Sequence, residues 1–243
     1  MMKKQFRIIL ALLLIIVSGC SYQGSLAPDD SDPYEKTNRG IFEFNEELDK
    51  AVLEPVADGY DVIVPDPLQS GLTNFINNVE YPITIANLLL QGKPLQSIES
   101  LIRFSINTTF GLLGFLDPAS KMGLNLYDED FAQTLGVWGA DQGSYIMTPF
   151  LGPYTVRHGF GDLIDSLLNP ISYIDNDFSR YGLKIIHQIQ KRSDLSSLED
   201  ELYGSYDPYQ YLRDSYLQNR TYKLNNGALD ETSEFDEIDF EDF

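Results

Sequence analysis

The most apolar region of the mature sequence, residues 70–116, is interrupted too often to form one membrane-spanning helix. Tyr81-Pro82 lies within it, and Gln91-Gly92-Lys93-Pro94 combines a glycine and a proline in a typical turn. A spanning helix needs about 20 predominantly apolar residues in a row. The pattern predicts two helices instead, the first kinked or broken at Pro82 and the second covering Leu95–Leu116.

The second of these helices carries one narrow polar stripe. Glu99, Arg103 and Asn107 recur every four residues, whereas the other faces are mostly apolar. A helix that is apolar nearly all round lies in a large core or in lipid, and a charged stripe on it would face a partner or a water-filled cavity. The alternative is an i,i+4 ion pair on the solvated face of a core helix, and the sequence leaves both open.

The N-terminus predicts export. Lys3, Lys4 and Arg7 precede Ile8–Val17, an apolar run of ten residues that suits a signal peptide and is too short to span a bilayer. The segment Val17-Ser18-Gly19-Cys20 resembles a lipobox.

This motif implies that residues 1–19 are removed and that Cys20 is acylated, the covalent lipid being the only expected prosthetic group. Ser21, rather than Asp, follows Cys20, which in lipoproteins of this type implies sorting to the outer membrane. Residues 20–31 then form the lipidated N-terminus and a polar linker. The alternative is an ordinary secretory signal. Because Cys20 is the only cysteine, the chain cannot form an internal disulfide.

The charge of the chain excludes one class of partner. It has 17 basic and 37 acidic residues, a formal charge of −20, which becomes −23 when Lys3, Lys4 and Arg7 leave with the signal peptide. Such a chain is unsuited to nucleic acid and to docking on anionic headgroups through a basic patch. Membrane attachment must rest on acyl chains and apolar surface.

The remainder of the chain is predicted to be mainly helical. Amphipathic helices are indicated at Tyr34–Leu53, ended by Pro55, and at Arg180–Leu202, and Ser205-Tyr206-Asp207-Pro208 starts another helix. No run of strands is convincing, although Gly143–Thr148 could pair briefly. The last 19 residues, 225–243, contain eight acids and no base, which predicts a disordered tail.

A glycine-rich stretch, Phe131–Asp162, is predicted to be an irregular element framed by helices. It holds the only tryptophan, Trp138, and one of two histidines, His158. Glycine at this density indicates a backbone that turns, approaches something closely, or moves. Six of the 18 glycines lie in it: Gly136, Gly139, Gly143, Gly152, Gly159 and Gly161.

The sequence offers no strong signal for catalysis. It has no G-x-S-x-G, no phosphate loop and no free thiol once Cys20 is acylated. His158 and His187 are the only imidazoles, and no serine or acid is placed by spacing to complete a triad with His158. Two histidines make a zinc site unexpected, although a carboxylate-rich site is left open. We predict no catalytic residue and no metal.

Five segments follow the lipobox in order. They are DPYEKTNRGIFEFNEELD from Asp32, GLTNFINNVEYPITIANLLLQGKP from Gly71, RFSINTTFGLLGFLDPAS from Arg103, DFAQTLGVWGADQGSYIMTPFLGPYTVRHGFGD from Asp130 and SYDPYQYLRDSYLQNR from Ser205. Together they resemble the MlaA family, also called VacJ, of outer-membrane lipoproteins. The resemblance implies an MlaA-like helical domain at residues 32–224.

The resemblance implies a mainly α, ring-like helical lipoprotein embedded in the outer membrane from its periplasmic side. It implies an amphipathic pore through which phospholipids mislocalised to the outer leaflet pass to a soluble periplasmic carrier. It also implies association with a trimeric porin and no covalent chemistry. The competing hypotheses are a structural lipoprotein that is bound to porins without lipid transport, and a lipid enzyme acting through His158.

The resemblance also suggests site residues. Glu99, Arg103 and Asn107 in an apolar wall would give a headgroup a polar route, and Arg157 could meet a phosphate. The family commonly has Arg-Asp where this chain has Arg157-His158, and Asp162 could serve instead.

The second expectation for the site is that part of the glycine-rich stretch gates the pore. Leu135–Tyr145 is predicted to be a flexible hairpin beside the pore, with Gly136, Gly139 and Gly143 as hinges and Trp138 as its apolar tip. A static loop is the alternative.

Overall fold

The computed structural model describes residues 32–195 and 199–226. A π-helical turn, Asp49–Leu53, joins the first two helices, and a 3-10 turn, Pro170–Tyr173, follows the seventh. The other elements are α1 Glu35–Leu48, α2 Glu54–Ile63, α3 Asp66–Leu90, α4 Pro94–Phe110, α5 Pro118–Lys121, α6 Phe131–Val137, β1 Tyr145–Thr148, β2 Gly152–Thr155, α7 Val156–Leu168, α8 Asp177–Leu195, α9 Glu199–Gly204 and α10 Pro208–Leu224.

The predicted mainly α class, with a hairpin in the glycine-rich stretch, is confirmed. The signal peptide over 1–19, the lipidated linker over 20–31 and nearly all of the tail over 225–243 lie outside the described residues and stay predictions. In the part of the chain that is described, no helix is long and apolar enough to cross a membrane.

The elements between residues 34 and 226 contact one another in a closed order. The α1 helix packs on β1, and α2 packs on α8, which contacts α3. The α3 helix contacts α6, α6 packs along α7, and α7 contacts β2, the partner strand of β1. This order agrees with the expected ring-like class. The α4 helix is not one of the elements of this closed order. It pairs with α3 as an antiparallel hairpin.

A small aromatic core joins α1, β1 and α10. Tyr145, Met147 and Tyr209 are almost fully buried, and Phe42 and Tyr216 pack against them. The rings of Tyr145 and Tyr209 meet edge to face with centroids 6.3 Å apart, the geometry that aromatic quadrupoles favour. This core ties the hairpin to both terminal helices of the domain.

The prediction that Pro55 ends the first helix is wrong. Helical structure continues from α1 through the π-helical turn into α2, where Pro55 occupies the first turn. In the π-helical turn the Glu54 N–H bonds the Asp49 carbonyl five residues back. The wider turn shifts the hydrogen-bond register just before the proline, whose missing N–H is tolerated at a helix start.

A kink or a break was predicted at Tyr81-Pro82, and the break does not occur, because α3 runs through Pro82 without interruption. An interior proline costs about 3 kcal/mol. Tertiary packing offsets this cost: Tyr81 is buried, and its hydroxyl lies 3.3 Å from the Ser100 hydroxyl of α4. The predicted turn between α3 and α4 is confirmed, with Gly92 at a φ of +75°.

The second helix of this hairpin ends at Phe110 rather than Leu116. Leu112, Leu113 and Gly114 follow with φ of +55°, +61° and +94°. Left-handed leucines are unfavourable, and the Asn78 side chain holds them by donating to the Leu113 carbonyl (3.2 Å). Asn78 lies 35 residues away, so helix periodicity could not reveal this ending.

The C-terminal helices follow the predictions in outline. Residues 196–198, within the helix predicted at Arg180–Leu202, lie outside the described residues, and α8 and α9 lie on either side of them. The α10 helix begins at Pro208, at the end of the predicted start Ser205-Tyr206-Asp207-Pro208, and the Asp207 carboxylate caps it by accepting the Gln210 N–H. The brief pairing predicted within Gly143–Thr148 is confirmed by β1.

Candidate lipid site

The second half of the glycine-rich stretch forms the β-hairpin and the helix that follows it. β1 and β2 are antiparallel, with Tyr145 opposite Thr155 and Thr148 opposite Gly152. Gly152 has a φ of +83°, which glycine adopts without a steric penalty. The Thr155 hydroxyl accepts the His158 N–H (3.3 Å), so one residue ends β2 and caps α7. The position of α7 against the hairpin is thereby fixed.

A groove of about 550 Å³ lies between this hairpin and one face of α7. Val156, Gly159 and Leu163 line it at the three- and four-residue spacing of one helix face. The lining is mainly apolar, and Asp162 supplies its carboxylate. Leu151 at the hairpin turn and Leu163 are both more than half exposed, so the groove is open at the surface.

An aromatic and ionisable cluster lies beside the groove, and two of its members, Tyr154 and Asp162, line it. The Tyr154 hydroxyl donates to Asp162 (2.7 Å), and the His158 ring stacks on Tyr154 with centroids 4.7 Å apart. His158 Nδ1 lies 2.7 Å from the Tyr216 hydroxyl, and Nε2 lies 3.5 Å from Asp162. These contacts place His158 and Asp162, one helical turn apart, in one network.

The electrostatics of this cluster favour a neutral imidazole. Burial lowers the pKa of His158, and the nearby Arg220 cation lowers it further, against the opposing effect of Asp162. Burial and the Asp162 carboxylate raise the pKa of the Tyr154 hydroxyl, which keeps it protonated. The contacts described for the His158 ring involve Tyr154, Asp162 and Tyr216, none of which is a serine or a thiol nucleophile.

Arg157 lies on a different face of α7 from the groove. Its Nη1 donates to the Ala140 carbonyl (2.8 Å), and its guanidinium packs over Gly136, where a Cβ would come within 3.1 Å of it. Burial lowers the pKa of Arg157, as does the Arg220 cation. At Gly161 a Cβ would lie 2.4 Å from the Ala132 nitrogen, so α6 and α7 approach closely through this glycine.

The predicted gate residues occupy a different arrangement from the one expected. Gly136 lies within α6, and the hairpin begins at Tyr145, where the predicted hairpin segment ended. Gly139 and Gly143 have φ of +89° and +70°, as turn residues. The Trp138 indole N–H donates to the Leu90 carbonyl at the end of α3 (3.0 Å), which anchors this side chain to α3. Gating by this segment stays a prediction.

Two asparagines of α1 hold the hairpin by its backbone. Asn38 donates to the Tyr145 carbonyl (3.3 Å) and accepts the Met147 N–H (2.9 Å). Seven residues later, Asn45 donates to the Thr148 carbonyl (2.9 Å) and accepts the Phe150 N–H (2.9 Å). We call this pair the asparagine clamp. It pairs the outer backbone groups of β1 in place of a third strand.

The polar stripe of α4 is confirmed as one face, and its side chains have protein partners. Arg103 is almost fully buried and donates to the Leu124 carbonyl (2.8 Å), the Ser120 hydroxyl (2.8 Å) and Asp117. Asn107 donates to Asp117 (2.9 Å). Burial raises the pKa of Asp117, but its hydrogen bonds and Arg103 outweigh this and hold it below the ordinary value.

Glu99 extends the same network to the irregular segment before α6. Its carboxylate accepts the Asn125 N–H (2.8 Å) and the Tyr127 hydroxyl (2.8 Å), and these bonds lower the pKa of Glu99. The stripe therefore binds residues 117–127 to α4. Its predicted role in a lipid path stays a prediction, and any such role of Arg103 would act through the segment that it holds.

The α4 helix has the reverse of the usual polarity. Its buried residues are polar, whereas most of its large apolar residues are exposed, Leu95 at 80% and Phe110 at 75%. Phe104 and Ile106 are half-buried. The exposed apolar surface continues into the turn after the helix. We call this surface the α4 apolar face; it consists of Leu95, Ile98, Leu101, Ile102, Phe110, Leu112, Leu113 and Leu116.

The sequence model of the family described as MlaA lipoprotein matches residues 30–223. The chain belongs to the MlaA lipoprotein family. It is 35% identical to a protein of Shigella flexneri named intermembrane phospholipid transport system lipoprotein MlaA, over 90% of this chain and 89% of that protein. A protein of the same name from Haemophilus influenzae is 34% identical over 93% of this chain and 94% of its own length.

A solved structure agrees with the MlaA assignment. It is described as the structural basis for maintenance of bacterial outer membrane lipid asymmetry, and it matches with a TM-score of 0.73 and 33% identity. The match covers 80% of this chain and 99% of that one. The family resemblance read from the five sequence segments is therefore confirmed.

Several residues of this MlaA-family site were missed by the sequence analysis. They include Asn38 and Asn45 of the clamp and the Tyr154 and Tyr216 hydroxyls. One signal was available, because Asn38 and Asn45 are two helical turns apart among the apolar residues of α1. The tyrosines carry no such signal, since their partners are set by the packing of α10 on α7 and the hairpin.

Proposed function

We propose that this MlaA-family protein removes mislocalised phospholipids from the outer leaflet of the outer membrane. It passes them through an amphipathic pore to a soluble periplasmic carrier and so maintains lipid asymmetry. Acylated Cys20 anchors it, a trimeric porin binds it, and the domain is embedded from the periplasmic side. The names of its relatives, which refer to intermembrane phospholipid transport, support this proposal.

The observation that carries the proposal is the reversed polarity of α4. Polar residues such as Arg103 lie inside, and large apolar residues such as Leu95 and Ile98 lie outside. In water this arrangement would leave a large apolar patch exposed, a feature that marks interaction sites. Hydrocarbon is the surrounding that stabilises it. The hairpin of α3 and α4 does not span the membrane, yet its surface is apolar. A position within one leaflet accounts for both properties.

The groove beside α7 supports the transport step. Lipid tails need an apolar wall, which Leu151, Val156 and Leu163 provide, and a headgroup needs polar atoms, which Asp162 and Tyr154 provide. Of the predicted path residues, Asp162 lines this groove, and we retain it as part of the lipid path.

Filling the groove tests the proposal. Gly159 lines it within α7, and a Cβ there would meet only Tyr154, at an ordinary contact distance of 3.8 Å. Gly159→Leu therefore projects a side chain into the groove without backbone strain, and replacing a helical glycine favours folding by about 0.5–1 kcal/mol. In cells lacking the wild-type protein, surface-exposed phospholipid should stay high when Gly159→Leu is expressed, measured with a probe that does not cross the outer membrane.

Gly40→Leu is the matched control. Gly40 is an exposed glycine of α1 with no heavy atom within 4 Å of its Cβ position, so this variant should restore normal surface lipid. If Gly159→Leu also restores it at equal protein levels, the groove does not carry lipid. If deletion of the protein itself leaves surface phospholipid unchanged, the structural-lipoprotein alternative is favoured.

A further inference from the structure

One carboxylate gives the groove between the hairpin and α7 its charge. Asp162 lines the groove from the middle of α7, and its side chain is 46% exposed. The rest of the lining is mainly apolar, and the described residues that form it include no Lys, Arg, His or Glu. A ligand that enters the groove therefore meets a negative charge in an apolar wall, where water screens that charge less than at an open surface.

Contacts within the protein orient the Asp162 side chain but satisfy only one of its oxygens. Oδ2 accepts the Tyr154 hydroxyl at 2.7 Å. Oδ1 lies 3.5 Å from His158 Nε2, which is longer than the about 2.7–2.9 Å of a charge-assisted hydrogen bond. The described part of the chain supplies no closer donor to Oδ1. This oxygen can therefore accept a donor from a ligand.

The charge of Asp162 is not neutralised by a neighbouring cation. Arg220 is near enough to interact with it, but both hydrogen bonds described for the Arg220 guanidinium go to Asp130 (2.7 and 3.1 Å). Burial and Arg220 lower the pKa of His158, which leaves its imidazole neutral at pH 7. Within the described residues, no Lys or Arg forms an ion pair with Asp162. Two carboxylates thus share the Arg220 cation, and the cluster beside the groove keeps a negative charge.

We propose that Asp162 gives the groove a preference for phospholipids whose headgroup ends in a primary ammonium, as in phosphatidylethanolamine. This inference rests on the proposed function, in which the groove holds lipid tails. The phosphate is common to phospholipids and does not distinguish one from another. The group beyond the phosphate does, because –NH₃⁺ supplies a positive charge and N–H donors to the Asp162 carboxylate. A glycerol headgroup supplies hydroxyls without a charge.

Two features favour an ammonium-bearing lipid over a metal ion. Among the residues that the structure describes, no group of three or more His, Cys, Asp or Glu side chains is placed to hold a metal, and the groove has one carboxylate. The apolar side chains of Leu151, Val156 and Leu163 line the same groove. Leu151 and Leu163 are more than half exposed, so a headgroup at Asp162 can stay in contact with water while a tail lies against the apolar wall.

Photo-crosslinking of the full-length acylated protein tests this preference. The two probes are phospholipids with the same diazirine-bearing acyl chain and either an ethanolamine or a glycerol headgroup, supplied in equal amounts in the same detergent micelles. Mass spectrometry counts the cross-links of each probe at Leu151, Val156 and Leu163. The ethanolamine probe should label these residues about two- to fivefold more, the discrimination expected from one partly exposed charge pair.

The α4 apolar face provides an internal control. It consists of uncharged residues, so the two probes should label Leu95 and Ile98 equally. This labelling also reports whether each variant is folded and embedded in the micelle. A preference confined to the groove separates recognition of the headgroup from a difference in how the two probes partition into detergent.

Three substitutions assign the preference to the Asp162 charge. Asp162→Asn keeps the shape and an acceptor for the Tyr154 hydroxyl, and the two probes should then label the groove equally. Asp162→Lys should reverse the order, because the added cation favours the net anionic glycerol probe. Asp175→Asn is the matched control: it removes an exposed acid that does not line the groove, so the preference should persist.

The outcomes separate this inference from the proposed function. Equal labelling of the groove by the two probes in the unchanged protein would overturn the headgroup preference and leave the groove as a lipid site. An undiminished preference in the Asp162→Asn variant would overturn it as well. If neither probe labels the groove while both label the α4 apolar face, the groove holds no tails, and the lipid path through it fails together with the preference.

Discussion

At the scale of single residues, the buried pair of Arg220 and Asp130 connects the last helix to the glycine-rich stretch. Arg220 is 7% exposed and donates two hydrogen bonds to Asp130 (2.7 and 3.1 Å), whose carboxylate also caps α6 by accepting the Gln133 N–H (2.7 Å). Desolvation raises the pKa of Asp130, but Arg220 and the Gln133 N–H outweigh it and hold the pKa below its ordinary value.

Replacing Arg220 with Met should destabilise the domain by about 3 kcal/mol, because the Asp130 carboxylate loses its cation in a largely buried site. The effect should depend on pH. Since the folded-state pKa of Asp130 is lowered, the pair stabilises the fold fully above the unfolded pKa, near 4, and this contribution is lost as pH falls through the folded pKa. Chemical denaturation in detergent at pH 7 and at acid pH measures both.

Lys223→Met is the matched control for this prediction. Lys223 lies one turn later on α10 and pairs with Asp128 (2.5 Å), but the Asp128 side chain is 76% exposed. An exposed pair contributes about 0–1 kcal/mol. Equal losses for the Lys223 and Arg220 variants at pH 7 would contradict the view that burial gives the Arg220 pair its strength.

Residue-scale features could be predicted where their partners are local in the chain. The cap formed by Asp207 before Pro208 is an example, since the sequence Asp-Pro at a helix start specifies it within four residues. The partners of Arg103 could not be predicted in the same way. Asp117, Ser120 and Leu124 reach it only because the chain turns back after α4, a turn that depends on distant Asn78.

At the scale of elements, the β-hairpin depends on α1, because a two-stranded hairpin alone is marginally stable. Asn45→Ala should remove the clamp bonds to the Thr148 carbonyl and the Phe150 N–H at a cost of about 1 kcal/mol. Amide exchange at Phe150 should accelerate about fivefold, the factor that corresponds to this free energy. Residue-resolved hydrogen exchange measures it.

Two further variants separate the clamp from general destabilisation of α1. Asn45→Asp keeps an oxygen for the Phe150 N–H but loses the donor to Thr148, so protection at Phe150 should be retained. Glu43→Ala, at an exposed site of α1, should change neither amide. Slow exchange at Phe150 in the Asn45→Ala variant would show that the hairpin does not need the clamp.

The predicted boundaries of helices were wrong where tertiary contacts outweighed the local conformational preference of the sequence. Pro82 would break an isolated helix, yet α3 continues because its buried face, including Tyr81, packs along α4. Pro55 was expected to end a helix, and a π-helical turn accommodates it instead. The helix from Pro208 was placed correctly, since an N-cap and a proline at the first turn act locally.

For the molecule as a whole, the α4 apolar face predicts membrane binding that does not need the acyl chains. A chain that begins at Ser21, and so lacks both the apolar run Ile8–Val17 and the acylated Cys20, should still float with phospholipid vesicles. Adding Ile98→Glu and Ile102→Glu, which places two charges on that face, should reduce the bound fraction at least tenfold, because each buried isoleucine contributes about 1.5–3 kcal/mol. Both side chains are about half exposed, so the fold should tolerate the change.

The control for this experiment is a variant that carries the same added charge on another helix. Gln218→Glu with Asn219→Glu places two charges on exposed positions of α10, and vesicle binding should persist. If the α4 variant binds vesicles as well as the unchanged chain that begins at Ser21 does, the α4 apolar face does not contact hydrocarbon. A protein such as the porin would then have to cover it, and the protein would act as a structural lipoprotein rather than as one embedded in a leaflet.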